Sequence, residues 1–473
     1  MNDLLESRRG QAAIVAAIVF VFLALRIALL RVREPFFDEL FTLWIVSKPF
    51  AGILEALRHD SGPPLFYFVV HALALRSVDA IRVLSLIAST VTLALIVSAR
   101  PLGNVRFLAA ALLAVYPPAV LFAIDARAYA LCAMFAAAGL LAVWSDRPFV
   151  AAAMFVAAAY SHYYGALFFP LVLVVHGGQA GKPVLHEGQA GKPVLHEGQA
   201  GKPVLHGGTL HRGTAFFAAI VLFIPGFWLA LHQPREAMQW LHESRWSWTQ
   251  DLSFAGAYPY ALFAPVPRWL VLAAAVLLLI AIAAPLASRR AFSPLLVFAA
   301  SATLIPLGAA VLAGVYFPMR LESVIAVPLV LWIGASLDAC SAPLRRLLLA
   351  AFLLIGVSVA GAGIADHAGR SVDPYRAAAL WTAAHVRPTD TVVASGYCYL
   401  EAAANVHAHL LAMPAEQAIH PGWRAFPTPQ TAAPAGPFVW IGERAAPELS
   451  ILRKTRTVKP LYVNERAVVA FVR

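Results

Sequence analysis

RRGQAAIVAAIVFVFLALRIALLRVREPFFDELFTLW, residues 8–44, pairs a membrane span with an acidic doublet at its far end. Residues 11–30 form an apolar run of the ~20 residues that a helix needs to cross a bilayer. The chain then turns to charge and aromatics, with Asp38 and Glu39 between Phe37 and Leu40. Arg8 and Arg9 precede the run. Basic residues are kept on the cytoplasmic side, so the N-terminus is expected in the cytoplasm and residues 33–63 outside. No A-x-A cleavage site closes the run, which reads as a retained first span and not as a cleaved signal.

Comparable runs follow at 81–98, 106–123, 268–287, 293–315 and 347–364. Of 473 residues, 60% are hydrophobic and 13% charged, against about a quarter charged in a soluble domain. The mean hydropathy is +0.73. Too little polar surface remains to cover a water-soluble globule, and a polytopic α-helical membrane protein is the expectation. The net charge of +11 sits mainly in short loops beside apolar segments, which is a topology signal and not a nucleic-acid footprint. Cys132 and Cys340 lie in or beside membrane segments and Cys398 stands alone in the tail, so no disulfide framework is implied.

Charge and parity carry the topology further. With Arg100/Arg106, Asp146/Arg147, Arg289/Arg290 and Arg345/Arg346 all in cytoplasmic loops, two conditions follow. Residues 64–75, too short to span, form an interfacial or re-entrant helix (a full crossing is the alternative). Residues 148–176 make two short passes meeting near Ser161–Gly165, because the polar residues there suit an outer turn better than lipid. About 11–12 spans result. Asp38, Glu39, Asp125, Arg127, His162, Arg320 and the loop 233–267 all fall outside. In that loop Trp240, Trp246 and Trp248 read first as interface anchors.

Residues 1–365 are thus the transmembrane part, and 366–473 read as a small soluble α/β domain outside. Asp373 and Pro374 mark a helix start, and DTVVASG, GPFVWIG and AVVAFVR read as strands. Within the cytoplasmic loop 177–213 the decapeptide GQAGKPVLHE repeats almost perfectly three times between 178 and 206. His186, His196 and His206 stand ten residues apart, which is no ligand spacing, and a tolerant flexible loop is the simpler reading.

Chemistry is carried by five short elements: Asp38-Glu39; HDSGPPLFYF (59–68); IDARAYAL (124–131); SHYYG (161–165); and YFPMRLESVIAVPLVLW (316–332). Each has a bland reading. Asp38 or Glu39 could cap the next helix, Asp125 could cap the helix near Arg127, His162 could be a satisfied interfacial histidine, and Arg320 could snorkel to head groups. In this order and on one side, they resemble the GT-C superfamily of membrane glycosyltransferases. The resemblance is to its protein mannosyltransferase and aminoarabinose-transferase-like branch, the family 39 type. It rests on Asp38-Glu39, Pro63-Pro64-Leu65-Phe66-Tyr67, Asp125-x-Arg127-x-Tyr129, His162-Tyr163-x-Gly165, and Arg320 with Pro328, over roughly residues 10–335. Gly62 stands where the family usually has histidine, and Leu321 where it has tyrosine.

The resemblance implies a GT-C-like fold and a polyprenyl-phosphate sugar donor whose tail stays in the bilayer. It implies transfer with inversion to an envelope acceptor, whether lipid, glycan or protein. Asp38 is the expected base, with Glu39 orienting the acceptor or Asp38 itself. Arg127 and Arg320 are the expected phosphate contacts. Asp125 is expected to hold Arg127 or the sugar, and Tyr67, Tyr129, His162 and Tyr163 to line the site. A divalent metal is compatible with the carboxylates and His162, though no spacing demands one. The expected home is a bacterial inner membrane with the C-terminal domain periplasmic. Two alternatives stand beside the enzyme: a transporter or flippase of a lipid-linked or amphipathic solute, and a non-catalytic lipid-binding subunit. Transporters usually carry midplane charges and paired repeats; here most spans lack central charges, with Arg26 toward the outer end of the first.

Overall fold

The computed structural model describes residues 7–58, 60, 62–174, 206–233, 268–283, 293–314, 320–395, 398–412 and 434–473. The Ser7 hydroxyl accepts the Gly10 N–H at 3.0 Å and starts helix α1, Arg8–Val32. Three short helices follow at one end of the bundle: α2 (Phe37–Val46), α3 (Phe50–Leu57) and α4 (Leu65–Ala72). Helix α4 is about 12 Å long at 1.5 Å per residue, too short to cross, in line with the reading of 64–75 as no full span. Then come α5 (Val78–Ser98), α6 (Val105–Val115) and α7 (Pro117–Leu121). After α8 (Tyr129–Trp144) and α9 (Pro148–Ser161), His162 breaks the chain and a 3₁₀ helix covers Tyr163–Leu173. The break at His162 falls where the sequence placed a turn within 148–176, between apolar helices of 14 and 11 residues. The bundle is completed by α10 (His206–His232), α11 (Arg268–Ala283), α12 (Pro294–Leu312), α13 (Arg320–Val324), α14 (Ala326–Ala339) and α15 (Ala342–Gly369).

Among the described residues, five helices are long and apolar enough to cross a membrane, and the pair Val105–Val115 with Pro117–Ile124, bent by 69°, makes a sixth. Tyr129–Trp144, Pro148–Ser161, Tyr163–Leu173 and Ala326–Ala339 are apolar but shorter. A sequence count of 11–12 therefore includes segments that length alone does not qualify as crossings. The outward faces confirm the solvent: Phe20 is 73% exposed, Leu347 67% and Leu354 69%, faces that lipid covers and water would not tolerate in such number. The chain is a multi-pass membrane protein. Small residues bring its helices together. A Cβ on Gly165 would lie 2.2 Å from the Ala158 carbonyl carbon, and one on Gly356 2.6 Å from Val115. The repeat His186 and His196, and Trp240, Trp246 and Trp248, lie outside the described residues.

Helix α15 runs to Gly369, past the change of composition near 365. A five-stranded sheet follows, formed by β1 (Thr391–Ala394), β2 (His409–Ala412), β3 (Phe438–Glu443), β4 (Val458–Val463) and β5 (Ala467–Val472) in the order β2-β1-β3-β5-β4. β1 runs parallel to β2 and β3, while β5 is antiparallel to β3 and β4. Alternation along β5 sends Ala467 and Val469 into one core and Val468, Ala470 and Val472 into the other. Helices α16 (Pro374–His385) and α17 (Cys398–Asn405) cover the first face, and α18 (Pro447–Thr455) the second. Asp373 caps α16 by accepting the Tyr375 N–H at 2.9 Å, as the Asp-Pro pair foretold. This domain rests on α2: Leu400 is buried with Leu40, Ile45 and Val46, and the Asp373 N–H donates to Glu34 Oε2 at 3.3 Å.

Candidate active site

Helix α2 sends its two acidic residues in different directions. Glu39 is fully buried, and its carboxylate takes a forked contact from Arg82, Nε at 2.8 Å and Nη2 at 2.5 Å. It also accepts the Ala126 N–H at 2.8 Å and reaches back to the Phe36 N–H at 3.3 Å, which caps the helix. Arg82 spends its other donors on the carbonyls of Arg33 (2.8 Å) and Glu34 (3.0 Å). Glu39 therefore has no open lone pair toward an acceptor. Its contacts are all to the protein: Arg82 and the Phe36 and Ala126 amides. A buried forked pair of this kind joins four segments of chain at one point.

Asp38 points the other way and keeps 31% of its side chain open. Its Oδ2 accepts from Arg320 Nη2 at 3.2 Å, across 282 residues of sequence. Its main-chain carbonyl accepts from Arg127 Nη1 at 3.3 Å, which also reaches the Thr42 hydroxyl at 3.4 Å. Tyr67 and Tyr129 are buried beside these charges, near enough to Asp38 and Arg127 for each to act electrostatically on the others. The Tyr129 ring lies 5.1 Å from that of His162, whose Nδ1 accepts the Tyr164 N–H at 3.3 Å. His162 thus serves as a cap as well as a wall. The Tyr163 hydroxyl donates to Gln233 Oε1 at 3.1 Å, and Gln233 Nε2 donates to the Leu57 and Gly62 carbonyls at 2.8 and 3.0 Å.

Asp125 is the residue placed otherwise than expected. It is 2% exposed and pairs with Arg33, not Arg127. The physical reason is the end of α1, where Arg33 is largely enclosed and would be an uncompensated cation without that carboxylate. Arg33 and Arg82 are the partners of this cluster that sequence reasoning missed.

Two solved structures share this architecture. ArnT from Cupriavidus metallidurans bound to undecaprenyl phosphate has a TM-score of 0.62 at 14% identity, over 97% of this chain and 97% of that one. The apo state of ArnT from the same organism gives 0.59 at 14% identity over the same shares. This chain has the ArnT fold. No protein-family model and no curated protein matches its sequence. The helical membrane bundle with a small C-terminal sheet domain expected from the sequence is thus present.

On that backbone the two departures from the motif pattern are each accommodated. A Cβ at Gly62 would lie 3.3 Å from the Tyr67 hydroxyl, so Tyr67 takes up the space beside a residue larger in the pattern. Leu321 is fully buried in the main hydrophobic cluster, turned away from the opening that Arg320 faces. Among the described residues, no three His, Cys, Asp or Glu side chains gather where a cation could be held. Asp38, Glu39 and Asp125 each face a guanidinium. A cavity of about 910 Å³ lies between the bundle and the C-terminal domain, lined by Arg33, Glu34, Phe37, Arg370, Asp373 and Glu401 among others.

Proposed function

We propose that this chain is an inverting glycosyltransferase that moves a sugar from a polyprenyl-phosphate carrier to an envelope acceptor at the periplasmic face of a bacterial inner membrane. The observation that carries the reading is one cluster: a half-open carboxylate, Asp38, flanked by Arg320 on its side chain and Arg127 on its carbonyl. It stands at the end of a membrane bundle whose fold is that of a protein solved with undecaprenyl phosphate. Outside the cytoplasm no nucleotide sugar is at hand, and a donor delivered through the bilayer on a lipid meets that need.

In this mechanism Asp38 takes the proton of the acceptor hydroxyl or amine as that atom attacks the anomeric carbon. The bond from that carbon to the phosphate oxygen breaks, and polyprenyl phosphate departs with the electron pair. Arg127 and Arg320 take up the charge that develops on it. Base and leaving group stand on opposite faces of the sugar, which inverts the anomeric centre by the logic that governs inverting glycosidases. Before the donor arrives, Arg320 rests on Asp38. A phosphate also takes a guanidinium in a forked contact, so donor binding would draw Arg320 toward the phosphate and leave the carboxylate facing the acceptor. Glu39 and Arg82 keep Asp38 in place throughout. The test is mass spectrometry of envelope lipids and glycans from a strain lacking the gene, complemented by wild type or by Asp38→Asn. A product heavier by one glycosyl unit, restored by wild type alone, supports the proposal. A product restored equally by Asp38→Asn refutes it.

A further inference from the structure

Arg26 sits in the C-terminal third of an apolar helix and is fully buried, a placement that demands partners within the bundle. It finds them on another span. Nη2 donates to the Leu113 carbonyl at 3.2 Å and to that of Ala119 at 3.1 Å; Nη1 donates to Ala114 at 2.9 Å and to Phe22 of its own helix at 3.1 Å. The Phe22 ring lies beneath the guanidinium, 3.5 Å from its carbon to the ring centre. The choice of carbonyls has a cause in the sequence. In a continuous helix Leu113 and Ala114 would receive the amides of residues 117 and 118, and both are prolines, which have no N–H. Proline also drives the residue before it out of the helical region. Tyr116 is accordingly extended, at φ −66° and ψ 116°, and the chain bends there by 69°.

We infer that Arg26 is a positioning residue: its guanidinium replaces the amides missing at Pro117 and Pro118, holds the chain bent, and thereby sets where Arg127 stands. From the bend, α7 and the turn Phe122–Ile124 lead straight to Ala126, whose N–H is held by Glu39, and to Arg127 on the Asp38 carbonyl. Were the helix to run straight on, residues 116–127 would travel ~18 Å further along its axis. An arginine in the first span thus acts on Arg127, in a separate segment of the bundle, through two prolines. The inference rests on the proposed role of Asp38 and Arg127 in transfer, and its test separates the two.

Three variants are compared: Arg26→Met, Pro117→Ala with Pro118→Ala, and all three changes together. Each is read by thermal unfolding in detergent, by an electron cryomicroscopy map, and by transfer rate. Arg26→Met leaves the Leu113 and Ala114 carbonyls bare in an apolar setting and is expected to lower the melting temperature. Restoring the two amides in the triple variant is expected to recover that stability and straighten the helix. Arg127 would then leave Asp38, and transfer would fall ~10²-fold or more, the usual result of misplacing a catalytic group by about an ångström. A purely structural arginine would give back rate along with stability. A triple variant that keeps the bend, that transfers normally, or that stays as unstable as Arg26→Met overturns the inference. The map reads the bend in a protein that transfers nothing, so failure of the sugar-transfer reading would show separately.

Discussion

Replacing Arg82 by methionine tests how the acidic pair is held. Both partners are sealed from solvent, Arg82 at 1% and Glu39 at 0% side-chain exposure. A buried carboxylate stripped of its cation costs ~3–5 kcal/mol, and the Arg33 and Glu34 carbonyls each lose a donor as well, at ~1–3 kcal/mol apiece where no water replaces it. The sum is a large share of the ~5–15 kcal/mol that folded domains hold in reserve. The double variant Glu39→Gln/Arg82→Met removes the stranded charge, while the glutamine oxygen can still accept the Ala126 N–H. Neutral replacement of a buried pair is often nearly free, so the double variant should be ~2–3 kcal/mol more stable than Arg82→Met alone. Unfolding followed by intrinsic tryptophan fluorescence in detergent, run as a double-mutant cycle, measures the difference. An Arg82→Met protein within 1 kcal/mol of wild type, or a double variant less stable than the single, would refute the view that this pair fastens α2.

Asp38→Asn should lower transfer by ~10²–10⁴, the span of a lost general base, without weakening the affinity for polyprenyl phosphate, because Arg320 loses the carboxylate that competes with the phosphate. Gly165→Ala places a methyl 2.2 Å from the Ala158 carbonyl carbon and 2.3 Å from the Ala159 nitrogen. Overpacking against backbone should cost at least the usual ~1–3 kcal/mol and displace His162, seen as lower stability and lower transfer together. Burial, above all, with Asp373 and Glu34 nearby, pushes Glu401 up to about 7 from 4.5, against the pull of Arg376. A raised carboxyl stabilises the fold below its unfolded value and loses that contribution as pH climbs through the folded one. The gap between Glu401→Gln and wild type should therefore widen by ~2 kcal/mol in favour of the variant from pH 5 to pH 8, in denaturant unfolding at each pH.

The bilayer solvent, the break within 148–176 and three of the tail's five strands were legible, because each is written in hydropathy or period over a local window; the strands His409–Ala412 and Val458–Val463 were not. Asp38, Arg127 and Arg320 were legible as a set through motif order, since their meeting spans 282 residues of chain between Asp38 and Arg320. The supporting arginines were not. Arg33 reads as a basic flank of the first span and Arg82 as a charge near the start of the next, and nothing local links them to Asp125 or Glu39, 92 and 43 residues away. A charge count would have found them: carboxylates held in apolar surroundings require cations, and the nearest arginines inside apolar segments are Arg26, Arg33 and Arg82. Pairing itself depends on how the helices pack, which no window of sequence records. The span count depends on the same packing, because helices as short as Pro148–Ser161 are stable there only through their neighbours.

The most direct measurement compares the affinity of the purified protein for undecaprenyl phosphate with its affinity for undecaprenol, in wild type and in Arg127→Met and Arg320→Met. The phosphate-bearing lipid should bind wild type at least tenfold more tightly, and either arginine change should erase most of that margin. Equal affinity of wild type for both lipids, or a preference for the phosphate untouched by both substitutions, would contradict a phosphate seat beside Asp38.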